Sequence, residues 1–441
     1  MYTRRVSLDR RMHGAVYGVV LLMPFSVLYP LSEPLGPGEV ALYVRAGLEL
    51  ADIPAGILLL LAAFDRWSMW QDGVSSQRTP VFAVLVLSVA LFGVASIVAA
   101  DAPHLAAFMA MRWLLAAGVL WAIIQVRVCP QRLAGVLAFT ACLHCVVAVL
   151  QVWRGEPLGL PGELALPPDR MSASVVHLGE RVWLRGYGLT FHPNVLGGYA
   201  AVALTLLIPL LSSRLVQLAA CILVVGLAAT LSRSAGLGLV VVVPLLIGWL
   251  WRVDTAARPA LRRAAVILAS ITLVSGVVFW KPITVRLAPV LEFGPSAGDR
   301  DAAEQLSLVG RGRLSAIAVE IMLRHPLLGV GAGNFPVALE AARSRMLPEY
   351  VHSVPLLLGA EVGVGGLIVW LAIAVWTGFV LVRKSPSKWT VVAAAAWSVL
   401  FIVSLFDCYP WSLNAGRLLT VTVLALLECS RSDPARLGPG A

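Results

Sequence analysis

Four arginines near the ends of long apolar runs are the residues best suited to bind a charged ligand: Arg185, Arg233, Arg311 and Arg313. Arginine suits phosphate because its planar fork makes paired hydrogen bonds and keeps its charge. A charge inside a membrane costs roughly 3 kcal/mol at the bilayer centre, so several arginines on one face predict an anionic ligand. The alternative for each arginine is interfacial snorkelling or pairing with an acidic residue. The acidic residues open to such pairing are Glu180, Glu320 and Asp407.

Two histidines stand at the ends of apolar runs. His352 follows Glu349-Tyr-Val and opens a long run. An imidazole can take a proton near neutral pH, so His352 is a candidate general base. His192, followed by Pro193 and Asn194, is a competitor. It could instead fix a helix start, because proline is favoured in the first turn.

The composition places most of the chain in a membrane. Of 441 residues, 59% are hydrophobic and 13% are charged, and the mean hydropathy is +0.85. Soluble chains carry about 25% charged residues, and disordered chains are polar, so both classes are excluded. A β-barrel would show alternating strands of about ten residues, whereas Pro80–Ala100 and Ala264–Trp280 are unbroken apolar runs. The sequence predicts an all-α polytopic membrane protein.

Twelve transmembrane helices are expected, since a span needs about 20 apolar residues. The segment at 353–382 is long and holds Gly363, Gly365 and Gly366, so it is predicted to be tilted, kinked or broken there. The predicted spans lie near 14–31, 47–64, 80–100, 105–124, 133–152, 187–211, 215–231, 235–251, 264–280, 353–382, 389–406 and 414–428.

The distribution of basic residues predicts the orientation. Lysine and arginine collect in alternate short loops, which places both termini in the cytoplasm by the positive-inside rule. The short outer loops hold almost none beyond Arg45 and Arg233. The formal charge of +10 is therefore largely a topology signal, and no basic stripe indicates a nucleic-acid partner.

The chain is predicted to be a single transmembrane domain over residues 1–431 with a cytoplasmic tail at 432–441. Two long outer segments, 153–186 and 281–352, are expected to face the periplasm and to carry function. The second contains a helical pattern around Arg311–Arg324. Asp52, inside the second span, is expected to face a cavity or to pair with Arg45 or Arg112, in a structural rather than a catalytic role.

Five motifs follow one another between residues 185 and 425. They are Arg185-Gly-Tyr-Gly-Leu-Thr-Phe-His-Pro-Asn194, Ser232-Arg-Ser234, His325-Pro-Leu-Leu-Gly-Val-Gly-Ala-Gly-Asn-Phe335, His352-Ser353 with Glu361-Val-Gly-Val-Gly-Gly366, and Asp407-Cys-Tyr-Pro-Trp411. In order and spacing they resemble the pattern of the O-antigen ligase and polymerase superfamily. Two residues depart from it: Ser353 stands where asparagine is common, and Cys408 where some relatives carry histidine.

The resemblance implies a GT-C-like glycosyltransferase in the bacterial inner membrane, with its active site facing the periplasm and helices in the large loop between spans 9 and 10. It implies a donor glycan on undecaprenyl diphosphate, an acceptor on lipid A–core or another glycan, and no metal or cofactor. The site residues it implies are His352 as catalytic base; Arg185, Arg233, Arg311 and Arg313 for the diphosphate; and His192, Asn194, Asp407 and Tyr409 in support.

The expected reaction is a metal-independent ligation with inversion at the anomeric carbon. His352 would take the proton of the attacking sugar hydroxyl, and the arginines would stabilise the leaving diphosphate. A long second outer loop favours a large acceptor and hence a ligase. The alternatives are a polymerase of the same superfamily, and a transporter of lipid-linked glycan. Transporters often show internal repeats, and this sequence shows none.

Overall fold

A computed structural model describes residues 2–31, 47–71, 80–163, 174–178, 181–291, 302–341, 349–382 and 386–432 of the chain. Arg45, Glu180 and the predicted tail, apart from Ser432, lie outside these residues. Each of twelve long helices in this part overlaps one predicted span. The helices are α1 (Tyr2–Leu22), α2 (Asp52–Gln71), α3 (Val81–Ala95), α4 (Pro103–Val126), α5 (Pro130–Arg154), α6 (Pro193–Leu207), α7 (Arg214–Thr230), α8 (Arg233–Val253), α9 (Arg258–Val278), α13 (Val354–Val382), α14 (Lys388–Phe406) and α16 (Asn414–Ser432). Helix α1 shares only residues 14–22 with the span predicted at 14–31.

Shorter elements lie between these helices. They are the hairpin β1–β2 (Leu28–Pro30 and Gly47–Glu49), the hairpin β3–β4 (Val175–Leu178 and Arg181–Leu184), and the helices α10 (Trp280–Leu291), α11 (Ala302–Arg324), α12 (Phe335–Ala341) and α15 (Tyr409–Ser412). The predicted helix around Arg311–Arg324 is confirmed as the second half of α11. The two hairpins were not predicted from the sequence.

Nine helical stretches among the described residues are long and apolar enough to cross a membrane. They are α2, α3 extended by a 3₁₀ turn to Ala99, α4, α5, α6 extended by a 3₁₀ turn to Leu210, α8, α9, α13 and α14. The predicted helical membrane protein is therefore confirmed. Helix α7 is apolar but has 17 residues, and α1 and α16 do not meet the same measure of length and apolarity. The full count of twelve spans and the side on which the termini lie stay predictions.

The core of the bundle forms around α6 and α16. Every residue of α6 is buried, because α5, α7, α8 and α14 surround it. In α16, which packs on α4 and α14, nearly all side chains are buried as well. In contrast, leucines and valines on α2, α8 and α9 are widely exposed on the protein surface, as in Leu60, Val240 and Leu273. Such apolar exposure suits helices that face lipid.

Helix α13 is broken at Gly363, as its glycines predicted. Gly363 has φ 82° and ψ 177°, outside the helical region. A break frees backbone groups that lipid cannot satisfy, so other protein groups must bond them. The glycine-rich segment before Phe335 does this: Val330 and Gly331 donate N–H bonds of 2.9 Å to Ala360 O and Glu361 O. The break is therefore closed by backbone pairing with this loop.

A largely buried ion pair fixes the N-terminal end of α2 against α4. Arg112 is 2% exposed and bonds Asp52 directly through its guanidinium. The same guanidinium donates to Gly47 O at 2.7 Å, and Asn414 on α16 donates to Asp52 at 3.2 Å. The expected pairing of Asp52 with Arg112 is confirmed. The pair joins three helices and the hairpin β1–β2.

Arg112→Ala tests how far this pair stabilises the bundle. We expect the free energy of unfolding to fall by about 3–5 kcal/mol, because the substitution leaves the Asp52 carboxylate buried without its cation. Equilibrium unfolding in mixed micelles measures the change. Arg154→Ala is the matched control: Arg154 and Glu156 form a pair that is 51% and 59% exposed, and its loss should cost about 0–1 kcal/mol. Equal losses for the two variants would contradict the prediction.

Candidate functional site

A chain of buried polar side chains links the start of α6 to the end of α14. One terminal nitrogen of Arg185 donates to Asn194 Oδ1 at 2.5 Å. Asn194 Nδ2 in turn donates to Asp407 Oδ2 at 2.7 Å. Arg185 is 2% exposed, Asn194 7% and Asp407 5%, so these bonds lie away from solvent. Three residues that the sequence proposed as site residues are thus in one hydrogen-bonded chain.

Arg185 also bonds the C-terminal end of α7. Its Nε donates to Thr230 O at 2.9 Å, the last residue of that helix. The chain then turns through Leu231, which has φ 51°, and α8 begins two residues later at Arg233. Leu231 is one of two non-glycine residues with positive φ among the described residues. The turn brings Arg185 and Arg233 to the same end of the bundle.

His352 is braced by Glu349. Its Nε2 lies 2.8 Å from Glu349 Oε1. Burial alone would raise the pKa of Glu349, but the hydrogen bond and charge of His352 and the charge of Arg311 hold that pKa below its usual value. An ionised carboxylate only accepts hydrogen bonds, so Nε2 carries the ring proton. In the neutral ring Nδ1 carries the lone pair, and this atom is buried without a hydrogen-bond partner.

The His352 side chain meets the turn between α14 and α15. A ring nitrogen of His352, a carboxylate oxygen of Asp407 and the Cys408 sulfur all lie within 4.8 Å of one another. Asp407 receives a further bond of 3.0 Å from the Cys408 N–H. The polar chain from Arg185 therefore ends beside His352, and these donor types are also ones that bind metal ions.

His192 shows that positive charge collects here. Burial lowers the pKa of His192 well below its ordinary value, and the charges of Arg185, His352, Arg311 and Arg286 lower it further. His192 is therefore neutral, and its Nδ1 accepts a 3.1 Å bond from the Asn194 N–H at the start of α6. The helix-start interpretation of His192 is confirmed by this contact.

The structure separates Arg311 from Arg313. Arg311, half-buried on α11, acts electrostatically on both His192 and Glu349, whereas Arg313 is exposed. A terminal nitrogen of Arg233 donates a hydrogen bond of 2.8 Å to the backbone oxygen of Arg286. Arg286 lies on α10 and is only 7% exposed. The arginines near the histidines are thus Arg185, Arg286 and Arg311, with Arg233 bonded beside them.

Sequence reasoning missed Glu349 and Arg286 as site residues. Glu349 carried a weak signal, because it stands three residues before His352. Arg286 carried none, since it is one basic residue in a long loop whose helices were only partly predicted.

Tyr409, the last proposed supporting residue, packs on α6. It is buried, and its hydroxyl has no hydrogen-bond partner. A Cβ added at Gly198 would lie 1.7 Å from this hydroxyl oxygen. Only a glycine leaves room for the ring, so α15 can approach α6 closely enough for Asp407 to meet Asn194.

The family comparison bears on this site directly. Residues 199–371 match the family Wzy_C, described as O-Antigen ligase. This stretch of the chain is thus similar to the O-antigen ligase superfamily. The matched segment includes Arg233, Arg311 and His352, whereas Arg185 and Asp407 lie outside it. No curated protein matches the chain significantly. Together with the candidate spans among the described residues, this match supports a multi-pass membrane protein.

Gly198→Ala tests the close approach of α15 to α6. We expect a loss of about 1–3 kcal/mol in stability, because the new methyl group overlaps the Tyr409 hydroxyl. Adding Tyr409→Phe should restore part of the loss by removing the overlapped oxygen. Gly248→Ala is the matched control, since nothing lies within 4 Å of the added Cβ. Thermal unfolding in detergent measures all four proteins, and no rescue by Tyr409→Phe would reject this packing.

Proposed function

We propose that the protein transfers a glycan from undecaprenyl diphosphate to a sugar hydroxyl of lipid A–core, on the periplasmic face of the bacterial inner membrane. The observation that carries the proposal is the His352 ring, braced by Glu349 and placed at the end of the Arg185–Asn194–Asp407 chain. This arrangement places a proton acceptor next to positive charge, and the reaction requires both. The family domain supports the reaction type.

Nδ1 of His352 is the proposed base atom. Glu349 accepts from Nε2, so the ring presents its lone pair at Nδ1. A carboxylate that orients an imidazole also stabilises the imidazolium formed when the ring takes a proton. The attacking hydroxyl would lose its proton to Nδ1 as its oxygen bonds to the anomeric carbon. The bond from that carbon to the diphosphate oxygen breaks at the same time, so the product is inverted.

Arginines are proposed to stabilise the departing diphosphate. A diphosphate leaves as a stable anion, so it needs positive charge more than a proton donor. Arg311 is the best-placed member, because its charge already acts on His192 and Glu349. Arg233 and Arg313 stay predicted ligands. We also assign Arg185 a positioning role, because two of its nitrogens donate hydrogen bonds to Thr230 and Asn194. Its charge remains in the site while it positions Asp407 through Asn194.

Two alternatives remain in the proposal. A polymerase would use the same groups and pass the glycan to another lipid-linked chain. A transporter is less well supported, because the polar chain lies where α6 begins and α14 ends rather than along a path through the bundle. Purified protein given lipid-linked glycan, with or without lipid A–core, separates these cases. Product only with lipid A–core supports ligation, and a longer carrier-linked chain supports polymerisation. The absence of both products rejects the proposal.

His352→Ala should lower the turnover rate about 10²–10⁴-fold, the usual worth of a general base, with donor binding nearly unchanged. Glu349→Gln should lower it less, because glutamine still accepts from Nε2 but has no charge. Single-turnover transfer and binding of labelled donor measure the two effects separately. Full turnover by a folded His352→Ala protein would remove this residue from the mechanism.

Arg311→Ala should weaken transfer about 10- to 100-fold, the worth of losing charge-assisted hydrogen bonds to phosphate. Arg313→Ala is the matched control, two residues away on α11 and exposed, and we expect little change. The same transfer assay measures both. A larger loss in Arg313→Ala than in Arg311→Ala would reverse this assignment.

A further inference from the structure

Three side chains of different donor type converge where α13 begins and α14 ends. One ring nitrogen of His352, one carboxylate oxygen of Asp407 and the sulfur of Cys408 are mutually within 4.8 Å. Zinc bound by nitrogen, oxygen and sulfur at about 2.0–2.3 Å places its ligand atoms about 3.3–3.8 Å apart. A shift of about 1 Å would therefore bring the three donors to zinc distance.

The surroundings of these donors already resemble the outer shell of a metal site. A histidine that binds a metal through one nitrogen usually donates its other N–H to a carboxylate. His352 makes this contact with Glu349 at 2.8 Å, and its Nδ1 is buried without a partner. Asp407 is held by Asn194 at 2.7 Å. The His352 ring is thus oriented through the nitrogen that does not face the ion. Both Asp407 oxygens accept a hydrogen bond, from Asn194 and from the Cys408 N–H, so Asp407 would bind the ion through a second lone pair.

The thiolate and two carboxylates would carry more negative charge than the ion brings. A bound zinc would replace the thiol proton of Cys408, which passes to solvent as the zinc–sulfur bond forms. The two positive charges of the ion would then meet three negative charges, on Asp407, Glu349 and the Cys408 thiolate. One arginine would balance the single remaining negative charge, and the charges of the other nearby arginines would weaken binding of the ion.

We propose that His352, Asp407 and Cys408 form an inhibitory site for Zn²⁺ or a similar soft divalent ion. The thiolate selects zinc over magnesium and calcium, which prefer all-oxygen ligands. The fourth position is open to water. The ion takes the lone pair of Nδ1, so a bound enzyme has no free base. This last consequence rests on the proposed function of His352, whereas binding itself does not.

Binding is tested on the purified full chain without any transfer assay. Isothermal titration with Zn²⁺ in a buffer free of chelators should show one site per chain. Titration with Co²⁺, a spectroscopic substitute for zinc, should produce the charge-transfer band of a cobalt–thiolate bond. Mg²⁺ and Ca²⁺ should not compete. Wild-type protein that shows no zinc site and no thiolate band overturns the proposal.

Two variants separate this site from other thiols. Cys408→Ser should remove the cobalt–thiolate band and weaken Zn²⁺ binding at least about 10-fold, because serine is a poor zinc ligand. Cys221→Ser, a half-buried cysteine on α7, should keep both. Glu349→Gln should weaken binding about 10- to 100-fold, as loss of an outer-shell carboxylate does. A band that persists in Cys408→Ser places the ion elsewhere and rejects the site.

The transfer reaction then tests inhibition. Zn²⁺ should abolish transfer by wild-type protein at concentrations that fill the site, and a chelator should restore it. At each Zn²⁺ concentration, Cys408→Ser should keep a larger fraction of its own zinc-free transfer rate than wild-type protein does. If zinc binds as described while His352→Ala retains full turnover, the proposed function fails and the metal site stands. If transfer requires His352 but zinc neither binds nor inhibits, the metal site alone fails.

Discussion

The arrangement of the site depends on the two hydrogen bonds of the Asn194 side chain. This side chain lies between a guanidinium and a carboxylate, accepting from Arg185 with its oxygen and donating to Asp407 with its nitrogen. A side-chain amide can do both at once, whereas a carboxylate there would face Asp407 with a like charge. The two ends of this link are 222 residues apart in the sequence, from Arg185 to Asp407. The link joins the N-terminal end of α6 to the C-terminal end of α14.

The break in α13 helps to place His352 beside this link. Glu361, next to the break, is fully buried and accepts from the Phe335 N–H at 3.3 Å and from Trp411 Nε1 at 2.7 Å. One carboxylate therefore contacts both the glycine-rich loop and α15, the short helix that follows Asp407. The first part of α13, which His352 precedes, is thereby fixed relative to the Asp407 turn. The contacts around the break in α13 therefore satisfy its backbone groups and also fix the geometry of the site.

The sequence predicted those features that depend on local pattern. Long apolar runs located the helices, three glycines located the break in α13, and Pro193 located the start of α6. The polar residues at the ends of the predicted helices included His352, Arg185 and Asp407, and the structure brings these three together. Pairings across the chain could not be read in this way, because no local pattern specifies which distant side chain Asn194 or Glu361 will meet.

Residues in the loops were harder still. Arg286 became visible only when α10 placed it beside Arg233. Glu349 needed the ring orientation of His352 before its role could be assigned. The hairpin β3–β4 has four residues in each strand, too few for alternation to show in the sequence. In each case the missing information is tertiary: an orientation or a neighbour rather than a residue type.

The tight turn at Leu231 has an electrical consequence. It sets the negative end of the α7 dipole next to the positive end of the α8 dipole. Arg185 already neutralises the former by bonding the Thr230 carbonyl. The Ser232 side chain makes no capping bond to the first turn of α8. The field at this corner is thus asymmetric, with its uncompensated half attracting anions toward Arg233 and repelling cations, before any substrate arrives.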